Sequence, residues 1–186
     1  DKVVFLRNRT MEKLYGVDVV AKAFASAANK NDDLRLLLYG KGSQELAVYK
    51  ILQDAGVAGR VCFGGFAALD QLPDIYHSAD YYLSASHSDG SSVSLMEALA
   101  CGVPAILSDI PSNREWIENN VHGWYFTDGS AEELEAIMLK AATEKRHNEM
   151  AAAARSLADS RADWNKNFAV LLSAYQKTAK LGKGTL

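Results

Sequence analysis

Asp89-Gly-Ser-Ser-Val-Ser-Leu-Met-Glu97-Ala-Leu-Ala-Cys-Gly-Val-Pro104 joins a polar, glycine-containing turn to an apolar run that carries one carboxylate. From Val93 to Leu107 the only charged side chain is Glu97, and an ionised group in such company is costly unless hydrogen-bond donors surround it. A polyhydroxyl ligand supplies such donors. The preceding turn, Asp89-Gly90-Ser91-Ser92, leads into a helix whose first backbone N–H groups and positive dipole end receive an anion, and a phosphate fits that description. Two plainer readings stand beside these. Ser91 or Ser92 caps the helix, and Ser94-Leu-Met-Glu97 satisfies a capping box if the helix starts as late as Ser94. Val93 already fits the apolar face of the helix, which favours the earlier start.

Cations gather elsewhere. Leu6-Arg7-Asn-Arg9-Thr-Met-Glu-Lys13-Leu-Tyr-Gly-Val-Asp18 follows the first apolar run, and its spacing lets either Arg7 or Arg9 act with Lys13 on an anion, or leaves a solvated basic loop. Gly40-Lys-Gly-Ser43 lacks the spacing of a Walker loop and reads as a tight turn with Ser43 capping the next helix. Val61-Cys-Phe-Gly-Gly-Phe66 ends in an aromatic that either stacks on a planar ligand or packs on the protein. His87 lies two positions before Asp89, as a sugar contact or simply a polar loop side chain. His77, His122 and His147 show no metal-ligand spacing, and no Gly-x-Ser-x-Gly elbow is present.

Alternating elements must position these groups. Apolar runs at 3–6, 34–39, 61–63, 81–84, 104–107 and 124–126 read as strands. Between them Val17, Val20, Phe24 and Ala27, then Leu72, Ile75 and Ala79, then Val93, Met96, Leu99 and Ala100 mark apolar helix faces. Strands separated by helices imply right-handed crossovers and a parallel sheet covered on both faces, a doubly wound α/β domain of about six strands. Ligands of such sheets lie beyond the carboxyl ends of the strands, where most of the unusual residues fall. Helices alone are expected at 131–143, 148–159 and 164 to about 180. The last carries a stripe of Trp164, Phe168, Leu171, Leu172 and Tyr175, and Gly182-Lys-Gly184 reads as a frayed end.

The 186 residues suffice for one domain with a full core, at 48% hydrophobic content. A net charge of −3, with Lys and Arg scattered, argues against a nucleic-acid partner. No apolar run reaches the roughly 18 residues needed to span a membrane. Cys62 and Cys101 have neither paired spacing nor a His/Cys cluster and are predicted to be buried thiols in a reducing compartment. Asp1-Lys-Val-Val-Phe-Leu6 looks like the opening strand of a domain, and the chain is expected to be a fragment.

Asp89 to Pro104, Ser108-Asp-Ile-Pro-Ser-Asn-Arg-Glu115 and Gly123-Trp-Tyr-Phe126 together resemble the donor-binding domain of the family 4 (group 1) retaining glycosyltransferases of GT-B fold, over nearly the whole chain. That family's signature is an acidic residue, seven positions and a glutamate, followed by a Gly-x-Pro turn; Asp89 and Glu97 occupy the two acidic places. The resemblance implies that Glu97 accepts ribose hydroxyls, that Asp89 touches the transferred sugar, and that amides near Gly90, Ser91, Ser92 and Val93 hold the diphosphate. Asp89 departs from the usual glutamate by one methylene. The basic loop resembles the family's Gly-Arg loop without its glycine, which makes Arg7 or Arg9, with Lys13, the diphosphate cations. Such charges favour the transition state, because the leaving nucleoside diphosphate gains negative charge as the glycosidic bond breaks. Gly40 borders the donor cleft in the family, and Phe66 flanks the nucleobase.

On this reading residues 1–186 form the donor half of the enzyme, with C-terminal helices at 145–180 and an N-terminal acceptor domain absent. The implied donor is a nucleotide-diphosphate sugar, with no essential metal, no cofactor and no enzyme nucleophile. The acceptor, glycan or lipid, is left open. The expected location is cytoplasmic, with membrane association only through the absent domain. A non-catalytic nucleotide-sugar-binding module and a GT-B sugar-nucleotide epimerase are the alternatives.

Overall fold

The structure, a computed structural model, describes residues 2–181. In chain order its elements are β1 (Val3–Asn8), α1 (Val17–Lys30), β2 (Leu34–Tyr39), α2 (Glu45–Asp54), β3 (Val61–Gly65), α3 (Leu72–His77), β4 (Tyr81–Ser84), α4 (Val93–Ala100), β5 (Ala105–Ser108), α5 (Pro111–Arg114), β6 (Gly123–Phe126), α6 (Ala131–Ala141), α7 (His147–Arg161) and α8 (Trp164–Leu181). The six strands form one sheet in the order β3-β2-β1-β4-β5-β6, with every pairing parallel. The doubly wound expectation is thus met.

Side chains alternate across the sheet, so both faces bury apolar groups. Leu34, Leu36 and Leu38 of β2, Phe5 of β1, Tyr81 and Leu83 of β4 and Trp124 and Phe126 of β6 pack under α1, α2 and α6. Leu6, Tyr82 and Leu107 point the other way and pack with Tyr76 of α3, Leu95, Ala98 and Leu99 of α4, and Ala154 and Ala158 of α7.

Strand bounds differ from the apolar runs where backbone pairing overrides side-chain character. β1 continues through Arg7 and Asn8 because their backbones stay in register with Leu38 and Tyr39 of β2. Pro104 has no N–H to give a ladder, and β5 begins one residue later. Two expectations are corrected. Cys62 is exposed on the edge strand β3 and Cys101 is half-buried, so neither is a fully buried thiol. Val93 is 65% exposed and turns away from the apolar face of α4. The stripe on α8 has the expected period, yet Trp164, Phe168, Leu171, Leu172 and Tyr175 are all exposed and cover no core of this domain. Gly182-Lys-Gly184 and Asp1 lie outside the described residues. No helix among the described residues is long and apolar enough to cross a membrane.

One glycine fixes how the first helix leaves the sheet. Gly16, buried at the start of α1, has φ +54°, and a Cβ there would stand 2.1 Å from the carbonyl oxygen of Ala85 just beyond β4. The segments after β1 and β4 are therefore in backbone contact, reinforced by the His87 N–H donating to the Leu14 carbonyl at 2.9 Å. Gly16→Ala is expected to lower the unfolding free energy by about 2 to 4 kcal/mol, left-handed strain plus a backbone clash. A urea midpoint unchanged from that of the parent chain would contradict this packing.

Candidate functional site

The strand order reverses between β1 and β4, so the segments that follow them diverge to opposite faces and leave a crevice at the carboxyl edge of the sheet. Arg9 and Asp89 meet there. The Arg9 Nη1 donates to the Asp89 carboxylate and, at 3.0 Å, to Ser92 Oγ, while its guanidinium lies 4.3 Å from the ring centroid of Tyr15. Both partners are mostly shielded, at 15% and 13% side-chain exposure. Burial pulls the Arg9 pKa down, but the hydrogen bond and charge of Asp89 outweigh it and hold the pKa above its usual value. The carboxylate also accepts the Gly90 N–H at 2.9 Å, which shapes the exposed Gly90-Ser91 turn.

Arg7 does not face this crevice, which corrects its candidacy as a diphosphate cation. It is 1% exposed, and Nη1 and Nη2 donate to the carbonyls of Arg9 at 2.7 Å and Thr10 at 2.8 Å. Burial pushes its pKa down to about 10, so it stays charged at neutral pH. Alternation along β1 points Arg7 into the sheet's interior face while the chain bends back over it. Its charge organises the loop that presents Arg9.

Helix α4 begins at Val93 with Ser92 as N-cap, its Oγ accepting the Leu95 N–H at 3.4 Å. The late start required for a capping box at Ser94 is thereby excluded. Ser94 instead pairs with the Tyr82 hydroxyl at 2.8 Å. The amides of Val93 and Ser94 occupy the first turn, where a helix supplies no acceptor of its own. Glu97 lies in the second turn, half-buried, and its Oε2 accepts the Tyr76 hydroxyl at 2.8 Å. Burial first, then neighbouring Tyr82 and the Glu97 carboxylate, raise the Tyr76 pKa, so the phenol keeps its proton to donate. Glu97 also lines a slot of about 240 Å³ with Leu69, Leu72, Pro73, Tyr76, Ala100 and Cys101.

Lys13 sits in a 3-10 turn (Lys13–Tyr15) and is exposed, lining a cleft of about 460 Å³ with Leu14, Asp18, Gln44 and His87. Gly40 has φ +98°, and a Cβ would meet the Arg9 carbonyl at 2.3 Å, so its absence lets the turn after β2 press against the Arg9 loop. Ser43 is not a helix cap. Its Oγ donates to Glu12 Oε2 at 2.5 Å and its N–H to Oε1 at 2.8 Å, clipping the same two loops together, while Gln44 takes the cap position of α2. Phe66 follows β3 and is 74% exposed, packed on nothing that would account for it as core. A larger cavity, about 610 Å³ beside Leu46, Tyr49 and Phe63, holds only Glu45 as a charged lining group. Among the described residues no three His, Cys, Asp or Glu side chains converge as a metal site.

The structure thus brings Arg9, Asp89, Gly90, Ser91, Ser92 and Val93 together, with Glu97 one helical turn further on and Lys13 across the neighbouring cleft. Tyr15, Tyr76 and Tyr82 escaped the sequence reading. Each reaches its partner from another element, and no local spacing signals such a contact.

The sheet order, the helices on both faces and the terminal helices are the architecture this chain shares with solved glycosyltransferases of GT-B fold. The chain belongs to the group 1 glycosyltransferases, whose family model, described as "Glycosyl transferases group 1", matches residues 1–157. It is 32% identical over 130 residues to the UDP-N-acetylglucosamine–peptide N-acetylglucosaminyltransferase GtfA subunit of Streptococcus gordonii, covering 69% of this chain and 25% of that one. The pneumococcal O-GlcNAc transferase GtfA, solved with UDP and GlcNAc, superposes with a TM-score of 0.81 at 25% identity, over 95% of this chain and 35% of that one. The C-terminal domain of a group 1 family protein, LpcC of Francisella tularensis, shares the fold with a TM-score of 0.80 at 17% identity, over 87% of both chains. This chain therefore spans 25% of the length of its streptococcal relative and is matched nearly end to end by a domain solved by itself.

The two arginines separate by substitution. Arg7→Met leaves the part-buried carbonyls of Arg9 and Thr10 without their donor and is expected to cost about 1 to 3 kcal/mol of stability. Arg9→Met leaves the mostly shielded Asp89 carboxylate without its cation and is expected to lower the urea midpoint as well, but it also takes the guanidinium out of the crevice and weakens anion binding directly. An Arg9→Met chain that binds a nucleoside diphosphate as tightly as the parent chain would contradict the role assigned to Arg9.

Proposed function

We propose that this chain is the donor-binding domain of a retaining glycosyltransferase that transfers a sugar from a nucleotide-diphosphate sugar. The observation that carries the reading is the convergence of Arg9, Asp89 and the first turn of α4 at the reversal of strand order, with the half-buried Glu97 one turn along the same helix. Arg9 and Lys13 neutralise the diphosphate, the amides of Val93 and Ser94 take a phosphate oxygen, and Gly90 and Ser91 flank it. Glu97 accepts ribose hydroxyls, using the lone pairs that Tyr76 leaves open. Phe66 and the Gly40 turn border the nucleobase side. Asp89 touches the transferred sugar and, before donor binds, holds Arg9 in place.

As the anomeric carbon–oxygen bond breaks, negative charge grows on the leaving diphosphate, and fixed cations stabilise it more than they stabilise the bound ground state. The acceptor hydroxyl attacks from the same face and passes its proton to the departing phosphate oxygen, so no enzyme nucleophile, metal or cofactor is required. The acceptor, glycan or lipid, belongs to a second, N-terminal domain. The exposed apolar stripe on α8 supports such a partner, because a contiguous patch of large side chains marks an interaction surface.

UDP-N-acetylglucosamine is the first donor to test, since relatives with 32% and 25% identity are named for or solved with UDP and GlcNAc chemistry. Titration calorimetry with UDP, GDP and ADP and their sugars is expected to find one nucleotide that binds. Glu97→Ala should then weaken it by about 1.5 to 3 kcal/mol, the scale of a hydrogen bond to a charged group. Affinity unaltered by that substitution would return Glu97 to a structural role as Tyr76's partner. The chain alone is expected to bind donor without transferring sugar, and transfer detected without an added domain would overturn the division into donor and acceptor halves.

A further inference from the structure

His87 is held from two directions at the mouth of the Lys13 cleft. Its backbone N–H donates to the Leu14 carbonyl at 2.9 Å, which ties the segment after β4 to the segment after β1. Its Nδ1 lies 2.6 Å from Asp128 Oδ1, a residue just beyond the end of β6. A carboxylate only accepts, so Nδ1 donates to Asp128, and Nε2 is the ring nitrogen outside this pair. The imidazole stays accessible, at 40% side-chain exposure, and forms part of the wall of the cleft of about 460 Å³ that also contains Lys13, Leu14, Asp18 and Gln44.

We propose that His87 is a sugar-recognition residue, its Nε2 lone pair accepting a hydroxyl of the sugar on the bound nucleotide, and that Asp128 is a positioning residue acting through it. The proposal rests on the donor-site reading above and deepens it. The charges of a diphosphate call for Arg9, Lys13 and the α4 amides; the hydroxyls of a sugar call for acceptors. Asp89 shares its oxygens with Arg9 and the Gly90 amide and so serves only part of a sugar's hydroxyls, and Asp18 is paired with Lys22 at 2.9 Å. Two residues before Asp89, an imidazole held through Nδ1 lines the cleft, and its Nε2 lies outside that pairing. Asp128, from the segment after β6, holds the ring from outside the cleft lining.

The test compares each nucleotide with its own sugar conjugate on the 186-residue chain, using UDP and UDP-N-acetylglucosamine, GDP and GDP-mannose, and ADP and ADP-glucose. His87→Ala is expected to weaken the bound sugar conjugate roughly tenfold, one neutral-to-moderate hydrogen bond, while the matching nucleoside diphosphate changes less than about twofold. His87→Gln, which brings a carbonyl near the place of Nε2, should recover most of that loss. Asp128→Ala should give the same selective pattern in weaker form, and ¹⁵N shifts of the imidazole should show the tautomer released. Equal weakening of nucleotide and conjugate, or no weakening of either, overturns the assignment, as does an unmoved tautomer in Asp128→Ala. Failure of the unsubstituted chain to bind any of the three nucleotides overturns the donor-site reading itself, and the role of His87 with it.

Discussion

The reversal of strand order between β1 and β4 is the constraint from which the candidate site follows. Two adjacent parallel strands send their chains to opposite faces of the sheet, and the gap between them must be closed without losing backbone hydrogen bonds or leaving a charge stranded. Arg9 closes it. Its guanidinium reaches from the β1 side to Asp89 and Ser92 on the β4 side, and the same Ser92 oxygen caps α4. One hydroxyl therefore couples the start of a helix to the position of a cation, so that whatever orders Arg9 also orders the amides at the head of α4.

That coupling requires close approach of backbones, and small residues and buried donors provide it. Gly16 and Gly40 let neighbouring turns touch where any Cβ would collide. Arg7, placed by strand alternation under the loop it supports, satisfies two carbonyls that the bend would otherwise leave without donors. Glu12 reaches Ser43 from the other side. The loops at the carboxyl edge are thus braced from beneath and from the flank, which is what a site acting through fixed charges needs, since preorganised dipoles stabilise a transition state without reorganising.

The fold was legible in the sequence because both of its periods are strong: near-continuous apolar strands for a sheet buried on two faces, and three- and four-residue steps between them. Asp89, Ser92 and Glu97 were legible too, being close in sequence and odd in composition. The rest was hidden for physical reasons. Choosing between Arg7 and Arg9 depends on where β1 ends, and a strand's last residues are set by its neighbour's backbone rather than by their own polarity. Val93 reads as core by residue type, yet it is 65% exposed at the first position of α4 while Leu95 of the same turn is buried, so position overrules hydrophobicity. Tyr76 on α3 and Tyr82 on β4 carry no signal of their own in the sequence. Their hydroxyls matter only because the fold brings them against Glu97 and Ser94. The stripe on α8 shows the opposite limit, in that a period reveals which residues share a face and nothing about what covers that face.

Glu97 shows how these layers combine. A carboxylate half-sunk among apolar side chains is unfavourable unless its oxygens are satisfied, and the fold supplies one strong donor, the Tyr76 hydroxyl, itself fixed by burial in its protonated form. A carboxylate has about four acceptor sites, so one phenol anchors the group without exhausting it. Full satisfaction by the protein would have made Glu97 a structural residue with nothing to offer a ligand. No satisfaction would have left its oxygens stranded among apolar side chains at a cost in stability. The observed state, oriented by one donor and open to a slot lined by Leu69, Leu72 and Pro73, suits recognition of hydroxyl groups: its direction is set, and acceptor capacity remains for donors that a ligand brings.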